Sequence, residues 1–98
     1  MTSIEDLEST ALGVLGQLCE RYQELSLESH IAVMEAFNTT SERVGDLLPE
    51  ALGVDQPVGD LIDLAVRVLD ELASRATATD VHLCYATAVA LVEAARPS

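Results

Sequence analysis

The chain has 98 residues, 49% hydrophobic but only 3% aromatic, with 17 acids against five arginines and no lysine, for a formal net charge of -12. That length supports one domain with a core of Leu, Val, Ile and Ala. The charge excludes nucleic acid and anionic membrane surfaces, because nothing here could neutralise a run of phosphates. The missing lysine excludes Schiff-base chemistry and a Walker-type phosphate loop.

Helical periodicity is favoured almost everywhere, and no segment alternates with a period of two. Ile4, Leu7, Ala11, Leu15, Leu18, Tyr22 and Leu25 form a first stripe. Thr2 or Ser3 is placed to cap it, with Glu5 and Asp6 in the favourable first turn. Gly13 and Gly16 each weaken this helix by about 1 kcal/mol relative to alanine, so it is expected to stop near Arg21. A second helix is predicted to begin between Ser26 and Ser29, with Leu27, Ile31, Met34 and Phe37 as its apolar positions. Asn38, Thr39, Thr40 and Ser41 compete for backbone groups, and an end or bend is expected there. Glu28, Glu35 and Glu42 recur every seven residues and make one acidic row.

Val44 to Leu52 reads as a short helical or turn-like element closed by Gly53, and Asp55-Gln56-Pro57 as the entry to the next helix. That helix carries Val58, Leu61, Ile62, Ala65, Val68, Leu69 and Leu72. The last helix is predicted to start at Thr77-Ala78-Thr79-Asp80, a capping box with Asp in the third position. Its stripe is Val81, Cys84, Ala88, Leu91, Val92 and Ala95. Leu83, Ala86, Val89 and Ala90 lie on other faces, and a helix apolar nearly all round is buried or paired with another chain.

Leu25, Leu27, Glu28 and Ser29 match the pattern Leu-Gly-Leu-Asp-Ser with Ser26 in place of glycine, and Ala32-Val33 follow. Val44, Gly45, Leu48, Pro49 and Glu50 come next, then Leu52, Asp55 and Pro57. In this order and spacing, residues 22–73 resemble acyl or peptidyl carrier proteins of the polyketide-synthase type. The departures are a first loop several residues short, Glu28 for aspartate, His30 after the serine, Val54 for phenylalanine, no threonine after Pro57, and an extra helix within residues 74–98. The resemblance implies an all-α, four-helix, carrier-protein-like bundle; residues 77–96 are read as an additional C-terminal helix that a plain carrier domain lacks, within a single domain, 1–98. It implies covalent 4'-phosphopantetheine at Ser29, holding acyl or aminoacyl groups as thioesters in polyketide or nonribosomal peptide biosynthesis. It also implies that the Glu28, Glu35 and Glu42 face meets basic patches on a synthase or a phosphopantetheinyl transferase.

Read without the resemblance, Ser29 is a helix cap, the glutamates are a solvated face, and the chain is a helical-bundle interaction or dimerisation protein. On either reading a homodimer through the last helix is expected, with the second helix and Ser29 left accessible. Neither reading makes it an enzyme. Ser29 and His30 are adjacent on a helix and point about 100° apart, with no third residue to orient a base. Cys19 and Cys84 are expected as small core residues, and neither has a second metal ligand at zinc-site spacing. His82 is expected to be hydrogen-bonded and partly buried. No 18-residue apolar run offers a membrane span, and the acidic start Ile4-Glu5-Asp6 is unlike a signal peptide, so the cytoplasm is the expected location.

Overall fold

The computed structural model describes residues 3–45 and 56–96. Among them are four helices and no strand: α1 (Ile4–Glu20), α2 (Leu27–Val44), α3 (Val58–Arg75) and α4 (Thr79–Ala94). The expected all-α, four-helix architecture is present. Its neighbours run in the order α1, α2, α4, α3 around a square, so α1 lies diagonally from α4, and α2 from α3. Cys19 meets His30, Ala73 meets His82, and Arg21 reaches Gln56, which makes the neighbouring helices antiparallel. It follows that α2 and α3 run in the same direction, and α2 ends at the opposite end of the bundle from the start of α3.

α1 starts where its cap residue dictates: the Ser3 hydroxyl accepts the Asp6 N–H at 3.1 Å. Leu7, Ala11, Leu15 and Leu18 of its stripe are buried, whereas Ile4 at its start is half exposed. α3 starts directly after Pro57 and has its predicted face, with Val58, Leu61, Ile62, Ala65, Val68, Leu69 and Leu72 all buried. The short element expected over Val44 to Leu52, its cap Gly53, and the helix entry at Asp55 lie outside the described residues, apart from Val44 and Gly45. Gly45 ends α2 at φ 80°, where a side chain would be strained.

α2 departs from expectation in two ways. It runs without a break through Asn38, Thr39, Thr40 and Ser41. Packing overrides propensity here: Thr40 is fully buried, and the Cys84 thiol donates to the Thr39 carbonyl at 3.8 Å. The Thr40 hydroxyl has no partner among the described residues, at a cost of about 1–3 kcal/mol. The second departure is rotational. The buried side of α2 is Val33, Ala36 and Thr40, while Leu27, Ile31 and Met34 face solvent. Small residues let α2 approach α1 and α4 closely, and Phe37 packs partly buried over Gly16, whose Cα side would put a methyl 3.6 Å from the ring.

The capping box expected at Thr77 does not form. Ala78 is the N-cap, with no side-chain bond, and the first helical bond runs from the His82 N–H to the Ala78 carbonyl. The His82 ring also bonds the Ala73 carbonyl at the end of α3 at 2.8 Å, which ties the start of α4 one residue later than the box requires. Tyr85, Ala88, Val92 and Ala95 are buried, and Val81, Val89 and Leu91 pack against the core. Leu83 is left 57% exposed. Expected self-association through α4 therefore rests on Leu83 and its alanine neighbours. No helix of the described residues is long and apolar enough to cross a membrane.

Candidate functional site

Among the described residues six large hydrophobic side chains are exposed, and three of them form one line on α2: Leu27 (76%), Ile31 (48%) and Met34 (43%). At 1.5 Å per residue the line runs about 10 Å along the helix. A fourth, Tyr22, stands beside it in the α1–α2 connection, with its ring centroid 6.2 Å from that of His30. Scattered single apolar residues need no explanation, but a contiguous patch on so small a domain does.

The line continues into a groove between α1 and α2, about 460 Å³, lined by Gly16, Cys19, His30, Met34 and Phe37. His30 fixes one wall by donating from Nε2 to the Cys19 carbonyl at 3.2 Å. Burial pushes the Cys19 thiol above its ordinary range, and the Glu20 charge adds to this. A thiol held protonated in this way is not an activated nucleophile. Cys84 is shifted the same way, first by burial and then by Asp80 and Glu42, against the opposing pull of Arg43. Both cysteines are partly buried rather than fully in the core.

Glu28, Glu35 and Glu42 are all exposed on α2. With 100° per residue, their row lies about a quarter turn from the apolar line. Glu20 borders the groove on its far side. The structure thus brings an apolar strip and two acidic margins together on one face. The acidic row was legible from its seven-residue spacing. The apolar strip was missed as a surface because its residues have the spacing of a core stripe.

Ser29 is the third residue of α2, not its cap. Ser26 is the cap: its hydroxyl accepts the Ser29 N–H at 3.1 Å and donates to the Ser29 hydroxyl at 3.0 Å. Ser29 is half-buried, on the flank of α2 away from the Leu27 line. It and His30 turn to different partners, Ser26 and the Cys19 carbonyl. The first N–H groups of α2 have no partner within the helix, as at any helix start. Among the described residues no three His, Cys, Asp or Glu side chains are grouped so as to hold a metal ion. Comparison with known proteins finds no match for this chain among protein-family models, curated proteins or solved structures.

Proposed function

We propose that the protein is a non-enzymatic interaction module whose docking surface is the outer face of α2. The observation that carries this is the exposure of Leu27, Ile31 and Met34 in one line beside an apolar groove. Leaving such a strip wet forgoes roughly 1.5–3 kcal/mol for each large side chain that a partner could cover. Glu28, Glu35 and Glu42 on one margin and Glu20 on the other select a partner with apolar anchors set among arginines or lysines. They also repel a second copy of this acidic chain from the same face.

The test places a photo-crosslinking residue at Met34 and, as a control, at Asp70 on the exposed side of α3, in cells that make the protein. A partner is expected to crosslink from position 34 and not from 70. The purified pair should then weaken by tenfold or more in Ile31→Ser or Met34→Ser, with helical content unchanged, and weaken as salt is raised. Equal capture at both positions, or a captured protein indifferent to Ile31→Ser and Met34→Ser, overturns the reading.

A second reading rests on the place of Ser29 in the first turn of α2 and on the sequence around it. By its resemblance to carrier proteins, the chain would carry phosphopantetheine on the Ser29 hydroxyl, and the arm would supply a thiol for thioesters. Ser29 is half-buried, and among the described residues its hydroxyl is bonded to Ser26, so a rotation of the Ser29 side chain frees it for a transferase. Attachment joins Ser29 Oγ to the phosphorus of the arm, while the hydroxyl proton is lost and the adenosine bisphosphate half of coenzyme A departs. The exposed glutamate row would then meet basic patches on partner enzymes. The six-residue connection between α1 and α2, residues 21–26, counts against this reading, because the family has a longer loop there.

Intact-mass spectrometry after treatment with coenzyme A and a broad-specificity phosphopantetheinyl transferase decides it. One added phosphopantetheine, absent in Ser29→Ala, is the expected result for a carrier. An unmodified chain with several competent transferases removes the reading and leaves the docking surface untouched.

A further inference from the structure

A second hollow lies at the other end of the bundle, where α1 begins, α2 and α3 end, and α4 begins. It measures about 350 Å³, toward the small end of the range for ligand pockets. Its apolar side is Leu72 and Val81, with the exposed Ile4 at the rim. Its polar side is Glu8, Arg43, Thr77, Tyr85 and Arg75, the last already paired with Glu71. The Tyr85 ring is 2% exposed, and its hydroxyl donates to a Glu8 carboxylate oxygen at 2.7 Å, reaching across the diagonal from α4 to α1.

The arginines divide unevenly. Arg21 pairs with Glu24, Arg75 with Glu71, and Arg96 with Asp63 and Glu93. Arg43 and Arg67, both exposed, have no hydrogen bond or ion pair with a described residue, although the chain carries 17 acids, and of these two Arg43 faces the hollow. As a last-turn cation it complements the dipole of α2, but that does not account for an apolar hollow built beside it. An unpaired guanidinium next to an apolar pocket is matched by a ligand with a carboxylate head and a short hydrocarbon body. Glu8 and the net charge of -12 disfavour a second negative charge on the ligand.

We propose that this end cavity binds a small organic monocarboxylate, its head on Arg43 and its apolar body against Leu72 and Val81. The site is at the far end of the bundle from Leu27 and does not depend on the docking role of α2.

The test titrates the full isotope-labelled chain with hexanoate, hexanamide and hexylamine, following backbone amide shifts. Hexanoate is expected to shift Ile4, Glu8, Val81 and Tyr85 saturably, and to bind at least tenfold more tightly than hexanamide. Arg43→Gln should remove that difference, and Arg43→Lys should restore part of it. Circular dichroism confirms that both variants fold. Equal binding of hexanoate and hexanamide overturns the proposal, because the hollow is then only apolar. Preference for hexylamine overturns it in favour of Glu8 as the selecting group. Shifts confined to the α1–α2 groove, or no saturation by hexanoate, also overturn it.

Discussion

Leu69→Ala is expected to lower the unfolding free energy by about 2–5 kcal/mol, while Ile31→Ala changes it by no more than about 0.5 kcal/mol. Leu69 is fully buried in α3, the helix packed against both α1 and α4. Its truncation loses transfer energy and leaves a cavity that fixed helices close only in part. Against a total of about 5–15 kcal/mol for a domain of this size, the change is a large fraction. Ile31 has no such role: it is 48% exposed, and alanine's higher helix propensity offsets what little contact is lost. Val33→Ala, two residues along and fully buried, should cost about 1–3 kcal/mol. Urea unfolding followed by circular dichroism measures all three, with an unchanged slope as the sign that only stability moved. If Ile31→Ala is costly and Val33→Ala silent, α2 packs with the opposite face and the proposed docking surface does not exist.

α1 and α3 were legible because local and global signals agree in them. Ser3 with Glu5 and Asp6 marks a start, and one apolar stripe has no rival at the same period. α2 carries two stripes of helical spacing. Leu27, Ile31 and Met34 are more apolar than Val33, Ala36 and Thr40, yet the second set is buried. Periodicity finds the most hydrophobic face of a helix, whereas packing selects the face whose small side chains allow close approach. The two coincide unless a surface is kept apolar for a partner, which is why the mistaken face is also the candidate site.

The start of α4 was misread for a related reason. Thr77 and Asp80 have the spacing of a capping box, but a tertiary bond from His82 to the Ala73 carbonyl fixes the start instead. Sequence periodicity has no access to a bond between two helices. The end cavity was illegible on the same ground, since Glu8 and Tyr85 are 77 residues apart and only the folded bundle makes them neighbours. Of the residues singled out for chemistry, Glu28, Glu35 and Glu42 share the face expected of them. Ser29 is the third residue of α2 rather than its cap, because Ser26 takes the cap.

Alkaline pH should destabilise this protein through Tyr85. Burial first, then the bond to Glu8 and its charge, hold the Tyr85 phenol well above its ordinary range, against a smaller opposing pull from Arg43. Its folded pKa thus exceeds the unfolded value of about 10. Below that pH the phenol is protonated in both states, and its bond contributes in full. Above it the unfolded chain releases a proton that the folded chain retains. Stability is then lost by about 1.4 kcal/mol per pH unit until the folded pKa is reached. Tyr85→Phe lacks this loss. At about pH 7 the variant should be less stable by about 1–3 kcal/mol, because a charged acceptor loses its donor. That gap should narrow from about pH 10 upward and then reverse. The raised thiols of Cys19 and Cys84 add a loss of the same sign, but they are common to both proteins and cancel in the difference. Urea denaturation of wild type and Tyr85→Phe at several pH values measures it. In a Tyr22→Phe background Tyr85 is the single phenol, and its phenolate absorbance should rise only together with loss of the helical signal. Phenolate appearing while the helices persist would mean that the Tyr85 hydroxyl is not held by Glu8, and that the polar wall of the end cavity is open.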